Sequence, residues 1–143
     1  MITLNPYLNF NGNTEEAFNF YKSVFGGEFS IIQRFKDTPE ADKLPEREQN
    51  LIMHVSLPIG SGNILMGTDA SESMGHKLVI GNNFYISLNT ETEEEANKLF
   101  DGLSAGGKIE LAMQKTFWGA YFGMFADKFG VQWMINCESR QQE

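Results

Sequence analysis

Residues 8–27, LNFNGNTEEAFNFYKSVFGG, and residues 86–107, ISLNTETEEEANKLFDGLSAGG, carry one pattern twice. In each, alternating apolar and polar residues lead into a polar, acidic cluster, then an apolar stripe, then Gly-Gly. Period-two alternation marks a half-buried strand. Asn13 or Thr14 with Glu15 and Glu16 behind it, and Thr92 with Glu95 three residues on, are helix starts. Ala17, Phe20, Tyr21, Val24 and Phe25 make one helical stripe; Ala96, Leu99, Phe100 and Leu103 make the other. Gly26-Gly27 and Gly106-Gly107 end the helices, because glycine accepts the left-handed conformation found past a helix terminus. The copies are offset by 78 residues in the strand, 79 at the helix start and 80 at the glycine pairs.

Three strand-like segments follow each helix. After the first they are 28–36, 50–57 and 63–68, the last two joined by the turn-prone residues 58–62. After the second they are 108–114, 117–126 and 131–137, with Asp127-Lys128-Phe129-Gly130 suited to a type I turn. Pro6 sets the opening strand, 3–10, at an edge or near a strand start. Residues 37–49, with two prolines and seven charges, predict an exposed, mobile loop, and 70–82 a second loop. Each half therefore reads βαβββ, in modules of about 1–70 and 82–137. They count as one domain of class α+β, since neither half is large enough to bury its sheet alone.

The bulk numbers narrow the function. A net charge of −8 opposes a phosphate-backbone partner, so no nucleic acid is expected. No apolar run approaches the roughly 20 residues of a spanning helix, so no membrane role is expected either. Cys137 is the one cysteine and reads as a small buried hydrophobe of the last strand. With no secretory signal at the N-terminus, that points to a reducing cytoplasm. There is no phosphate-binding loop, no Gly-x-Gly-x-x-Gly turn and no Gly-x-Ser-x-Gly nucleophile.

Several runs resemble the vicinal-oxygen-chelate superfamily, which holds glyoxalase I, bleomycin-resistance proteins and extradiol dioxygenases. They are Pro6-Tyr7-Leu8-Asn9-Phe10, Phe20-Tyr21, Phe25-Gly26-Gly27-Glu28, Met53-His54-Val55 and Ile64-Leu65-Met66. The most specific lie in the tail: Thr116-Phe117-Trp118, Phe122-Gly123, Asp127-Lys128-Phe129-Gly130-Val131 and Trp133-Met134-Ile135-Asn136. Within the superfamily the chain is similar to the PhnB-like branch, often labelled demethylubiquinone methyltransferase-like. The resemblance implies two βαβββ modules whose curved mixed sheets enclose a cavity, and a homodimer. It also implies a divalent ion, held in enzymatic members by His or Gln on the first strand of each module and a carboxylate on the last, and acting as a Lewis acid.

The sequence departs from that ligand set. The first-strand position falls near Pro6, the matching strand Asn83-Phe84-Tyr85-Ile86-Ser87 has neither His nor Gln, and the tail carboxylate falls near Met134. Asn63-Ile64-Leu65-Met66 offers no carboxylate before Asp69. Such residues bind neither hard cations nor zinc, so no metal and no other cofactor is expected. His54, Asp69, His76, Glu110 and Gln114 are the remaining candidates for other chemistry.

What is left is aromatic. Phe117, Trp118, Tyr121 and Phe122 crowd one segment, and Gly119 and Gly123 remove side-chain bulk on one face of it. Apolar walls with a few polar groups characterise small-molecule sites. The lining read from the sequence is His54, Gln114, Trp118 and Tyr121, around a small organic ligand; the acidic balance suits a cation. No catalytic residue is assigned. The alternatives are a metal-dependent lyase, isomerase or dioxygenase with nonstandard ligands, and a non-catalytic interaction scaffold.

Overall fold

A computed structural model describes residues 1–39 and 41–138; Glu40, one of the charges of the first loop, lies outside them. The chain divides into two compact units, Met1–Val79 and Ile80–Glu143. No helix among the described residues is long and apolar enough to cross a membrane.

The first unit contains β1 (Tyr7–Phe10), α1 (Thr14–Phe25), β2 (Ile31–Arg34), a short α2 (Glu46–Gln49), β3 (Ile52–Ile59) and β4 (Asn63–Asp69). Its sheet has the order β1-β4-β3-β2, with β1 parallel to β4 and the other pairs antiparallel. The opening strand starts only after Pro6, which gives β4 a carbonyl acceptor but no N–H. Leu4, placed in that strand by alternation, is exposed.

Helix α1 buries Thr14, Ala17, Phe18 and Tyr21 rather than the stripe through Phe20 and Phe25. Two features turn it. Gly67 leaves a notch beneath Phe18, where an added Cβ would lie 2.5 Å from the ring. Asp69, itself buried, takes the helix start: Oδ1 accepts the Thr14 hydroxyl at 2.6 Å and the N–H groups of Gly12 and Thr14 at 3.0 Å. Its Oδ2 accepts the Ile52 N–H at 2.8 Å. Asn13 stands at the N-cap without a side-chain bond, so a carboxylate from β4 does the capping.

The segment 37–49 is more ordered than its composition predicts. It carries helical turns over Phe35–Asp37 and Ala41–Lys43 as well as α2. Glu48 is buried there, and its Oε1 accepts hydroxyl protons from Ser71 at 2.5 Å and Ser73 at 2.7 Å. The two loops are thus pinned together.

The second unit contains β5 (Ile86–Thr90), α3 (Glu93–Ser104), β6 (Lys108–Lys115), β7 (Ala120–Ala126) and β8 (Gln132–Glu138). The order β5-β8-β7-β6, again with the first strand parallel to the last, repeats the first unit. The Thr92 hydroxyl oxygen accepts the Glu95 N–H at 3.1 Å, as the helix-start pattern requires. Phe100 meets Phe125 edge to face, with ring centroids 5.0 Å apart, above a core that includes Trp133 and Ile135. Gly123 is the notch of this sheet: a Cβ there would lie 2.8 Å from the Phe100 ring. Asp127 organises the last hairpin, accepting from the N–H groups of Phe129 and Val131 and, at 2.8 Å, from the Trp133 indole.

The pairing corrects the strand offset. Leu8 pairs with Gly67, four residues past Asn63 where the first hairpin closes on Ile59. Leu88 pairs with Ile135, four past Val131, whose carbonyl accepts the Asp127 N–H. Leu8 therefore corresponds to Leu88, two residues beyond the echo at Ile86. A shift of two keeps every side chain on its face, so alternation alone does not detect it.

Candidate functional site

Each sheet turns one face to its helix and leaves the other away from it. In a pleated sheet, cross-strand partners share a face. In the second unit, Gln114 is partnered with Phe122, and Phe122 with Asn136, on the face away from α3. Trp118 joins them: its ring centroid lies 6.0 Å from that of Phe122 and 5.1 Å from that of Phe117. Both exposed aromatics sit in the β6–β7 turn, because β7 begins only at Ala120, not at residue 117. The Thr116 hydroxyl donates to the Ala120 carbonyl at 2.9 Å and accepts the Ala120 N–H at 3.0 Å, clasping that turn, and Gly119 takes φ +90° within it. On the same face the Asn136 amide donates to Asn89 Oδ1 at 3.1 Å. Tyr85, just ahead of β5, donates to Glu110 on β6; this bond holds the Tyr85 hydroxyl above its ordinary pKa.

Tyr121 belongs to the other face. It is partnered with Lys115 and Cys137, and its hydroxyl donates to Asn97 Oδ1 of α3 at 2.6 Å. Gln114 and Tyr121 thus lie on opposite sides of one sheet.

His54 lies in the first unit, on the sheet face away from α1. Its Nδ1 is 3.1 Å from the Tyr7 hydroxyl and its Nε2 is 2.8 Å from Ser56 Oγ. The Tyr7 and His54 rings are 5.5 Å apart and tilted by 40°. Burial pushes the Tyr7 hydroxyl above its ordinary pKa, against a hydrogen bond with Thr68 that lowers it. The sequence places Tyr7 in the opening strand and in the run 6–10, and nothing in it pairs Tyr7 with His54.

The remaining candidates are engaged or isolated. Both oxygens of Asp69 hold backbone and hydroxyl donors, Glu110 holds Tyr85, and His76 is exposed in the second loop. At the positions implied for a metal stand Pro6, Met134 and, on the corrected offset, Ile86. Among the described residues, no three of His, Cys, Asp and Glu gather to hold an ion. These residues do not fit the divalent cation that the resemblance implies.

A family model described as 3-demethylubiquinone-9 3-methyltransferase matches residues 3–136. The chain is 36% identical to Protein YjdN of Escherichia coli (strain K12), over 96% of this chain and 97% of that protein. A crystal structure from Pseudomonas aeruginosa superposes with a TM-score of 0.85 at 38% identity, covering 98% of this chain and 100% of that one. The PhnB protein from Bacillus cereus gives 0.74 at 26% identity, over 95% and 99%. A glyoxylase/bleomycin resistance protein/dioxygenase domain from Frankia gives 0.68 at 11% identity, over 96% and 98%, a likeness of fold alone. The chain therefore belongs to the family described as 3-demethylubiquinone-9 3-methyltransferase, and its fold is that of the glyoxalase/bleomycin-resistance proteins.

Proposed function

We propose that the protein binds a small organic ligand on the aromatic face of its second module, without the divalent ion of the superfamily's enzymes. The observation that carries this is Trp118. It is 58% exposed, stands edge-on to Phe122 and rides on a turn that Thr116 holds rigid. Exposed clustered aromatics mark interaction sites, and a pre-ordered turn lowers the ordering cost of binding. Gln114 and the Asn89–Asn136 pair add the few polar groups such sites use for orientation. The proposed lining keeps Gln114 and Trp118 and adds Phe122; Tyr121 is left to hold α3, and His54 is the middle of a separate chain of hydrogen bonds.

We also infer a homodimer in a reducing compartment. Ile31 and Ile32 on the edge strand β2, and Ile109 on the edge strand β6, are about half exposed, and Cys137 is buried with no disulfide. Sedimentation velocity tests the dimer.

The two tryptophans make the ligand reading testable, since Trp133 is fully buried and Trp118 is not. A thermal-shift screen of metabolites and antibiotics, run with EDTA and with added Ni, Mn, Fe or Zn, supplies hits. Hits should quench wild-type fluorescence and leave Trp118→Phe unquenched. A stoichiometric ion whose removal abolishes binding sinks the metal-free part, and hits that ignore Trp118→Phe sink the site.

A further inference from the structure

The face of the first sheet turned away from α1 carries a constellation that the aromatic site does not use. Tyr7, His54 and Ser56 form one hydrogen-bonded chain across β1 and β3. It runs from surface to interior: Tyr7 is exposed, His54 half-buried and Ser56 buried. Both ring nitrogens of His54 meet hydroxyls, which donate or accept equally, so the neutral chain has two directions. In one, Tyr7 donates to Nδ1 and offers a ligand only lone pairs. In the other, Nδ1–H donates to Tyr7, and the tyrosine's own proton points outward. Protonation of His54 removes the choice. Both nitrogens must then donate, and Tyr7 becomes a donor beside a positive charge.

We infer that Tyr7, His54 and Ser56 form a proton-linked site for the carboxylate of a small organic acid with an apolar body. The carboxylate takes the Tyr7 O–H next to the imidazolium. The apolar body lies on Ile31 and Met66, both cross-strand partners of Ser56, and Ile31 is 44% exposed. No covalent bond changes; one proton passes from solvent to His54 as the acid binds. The groups facing His54 are uncharged: Gln33 from β2, Met66 and Thr68 from β4, and Tyr7 from β1. The nearby charges lie elsewhere, Asp69 at the start of α1 and Arg34 paired with Glu15 of that helix at 2.7 Å. The Tyr7 hydroxyl, alkaline in its ordinary pKa and raised further here, carries its proton at neutral pH, as a donor must. A chain of net charge −8 repels anions in general, so a locally acquired proton is what admits one.

The sign of the pH dependence follows. The bound anion stabilises the imidazolium, so anion binding and proton uptake by His54 are coupled. Binding is strongest where His54 carries its second proton and weakens as rising pH removes it. Benzoate is the probe, titrated into the full chain while the His54 ring signals are followed by NMR. Saturating benzoate should raise the His54 titration midpoint, and the Kd should be at least about tenfold lower at about pH 5.5 than at about pH 8. Tyr7→Phe should weaken binding at the lower pH, and His54→Gln should abolish the pH dependence. Absence of saturable binding at millimolar benzoate, equal affinity at both pH values, or an unmoved midpoint each overturns the inference. The wild-type titration decides even if a variant folds poorly. Because it reads His54 itself, failure of the tryptophan assay leaves it standing.

Discussion

Asp69 Oδ1 receives the Thr14 hydroxyl at 2.6 Å, and through that carboxylate the last strand of the first module holds the first turn of its helix. Four donors converge on one buried side chain: two N–H groups and the hydroxyl at the helix start, and the Ile52 N–H at the start of β3. Removing it strands them away from water. Asp69→Ala should lower unfolding free energy by about 3–5 kcal/mol, and Thr14→Ala by about 1–2 kcal/mol. Since the pair is one unit, the double variant should cost less than the sum. Urea unfolding of the three variants checks this.

Gly67 is fixed by proximity, not by backbone conformation. An added Cβ at 2.5 Å from the Phe18 ring forces the helix or the ring to move. Gly67→Ala should cost about 2–4 kcal/mol, and adding Phe18→Leu should return part of it by freeing space. Equal melting temperatures for wild type and Gly67→Ala would show that α1 sits farther from β4.

Glu48 makes part of the stability depend on pH. The Ser71 and Ser73 hydroxyls hold its carboxyl below the usual glutamate value. A depressed folded pKa contributes stability that is present above the unfolded value and lost as pH falls through the folded one. Glu48→Gln should therefore be about 1–2 kcal/mol less stable at neutral pH, with the gap closing in acid below the ordinary glutamate range. Urea midpoints across that range supply the test; a gap that stays constant shows the charge contributes nothing.

Tyr121 should behave as a structural residue. Losing its bond to Asn97, exposed at the surface, should cost about 0.5–1 kcal/mol in Tyr121→Phe. Ligand quenching of Trp118 in that variant should match wild type. A tenfold loss of ligand affinity instead would return Tyr121 to the lining.

The repeat was legible because strand, cap, stripe and glycine stop each obey a local rule, and both copies obey them in the same order. The burying face of α1 was not, because Gly67 and Asp69, some 50 residues away in sequence, decide it. The aromatic site was half legible. Alternation separates Trp118 and Phe122 from Tyr121 on paper as it does in the fold. Gln114 could not be assigned a face, because register shifts between Ile109 and Leu111 and between Leu111 and Gln114 break the alternation along β6. Tyr7 and His54 are 47 residues apart, and only the placement of β4 between their strands brings them together.

The two buried aspartates impose different timetables on their modules as the chain is made. Asp127 takes donors from Phe129, Val131 and Trp133, all within six residues, so the second module's hairpin closes as soon as that short stretch is free to move. Asp69 joins residues up to 57 positions earlier, so the helix start stays uncapped until β4 has been synthesised and released. Long loops close slowly, and the N-terminal half is therefore the later of the two to lock once its own residues are available. For that interval Phe18 and Tyr21, buried in the finished fold, stay without the cover of β4.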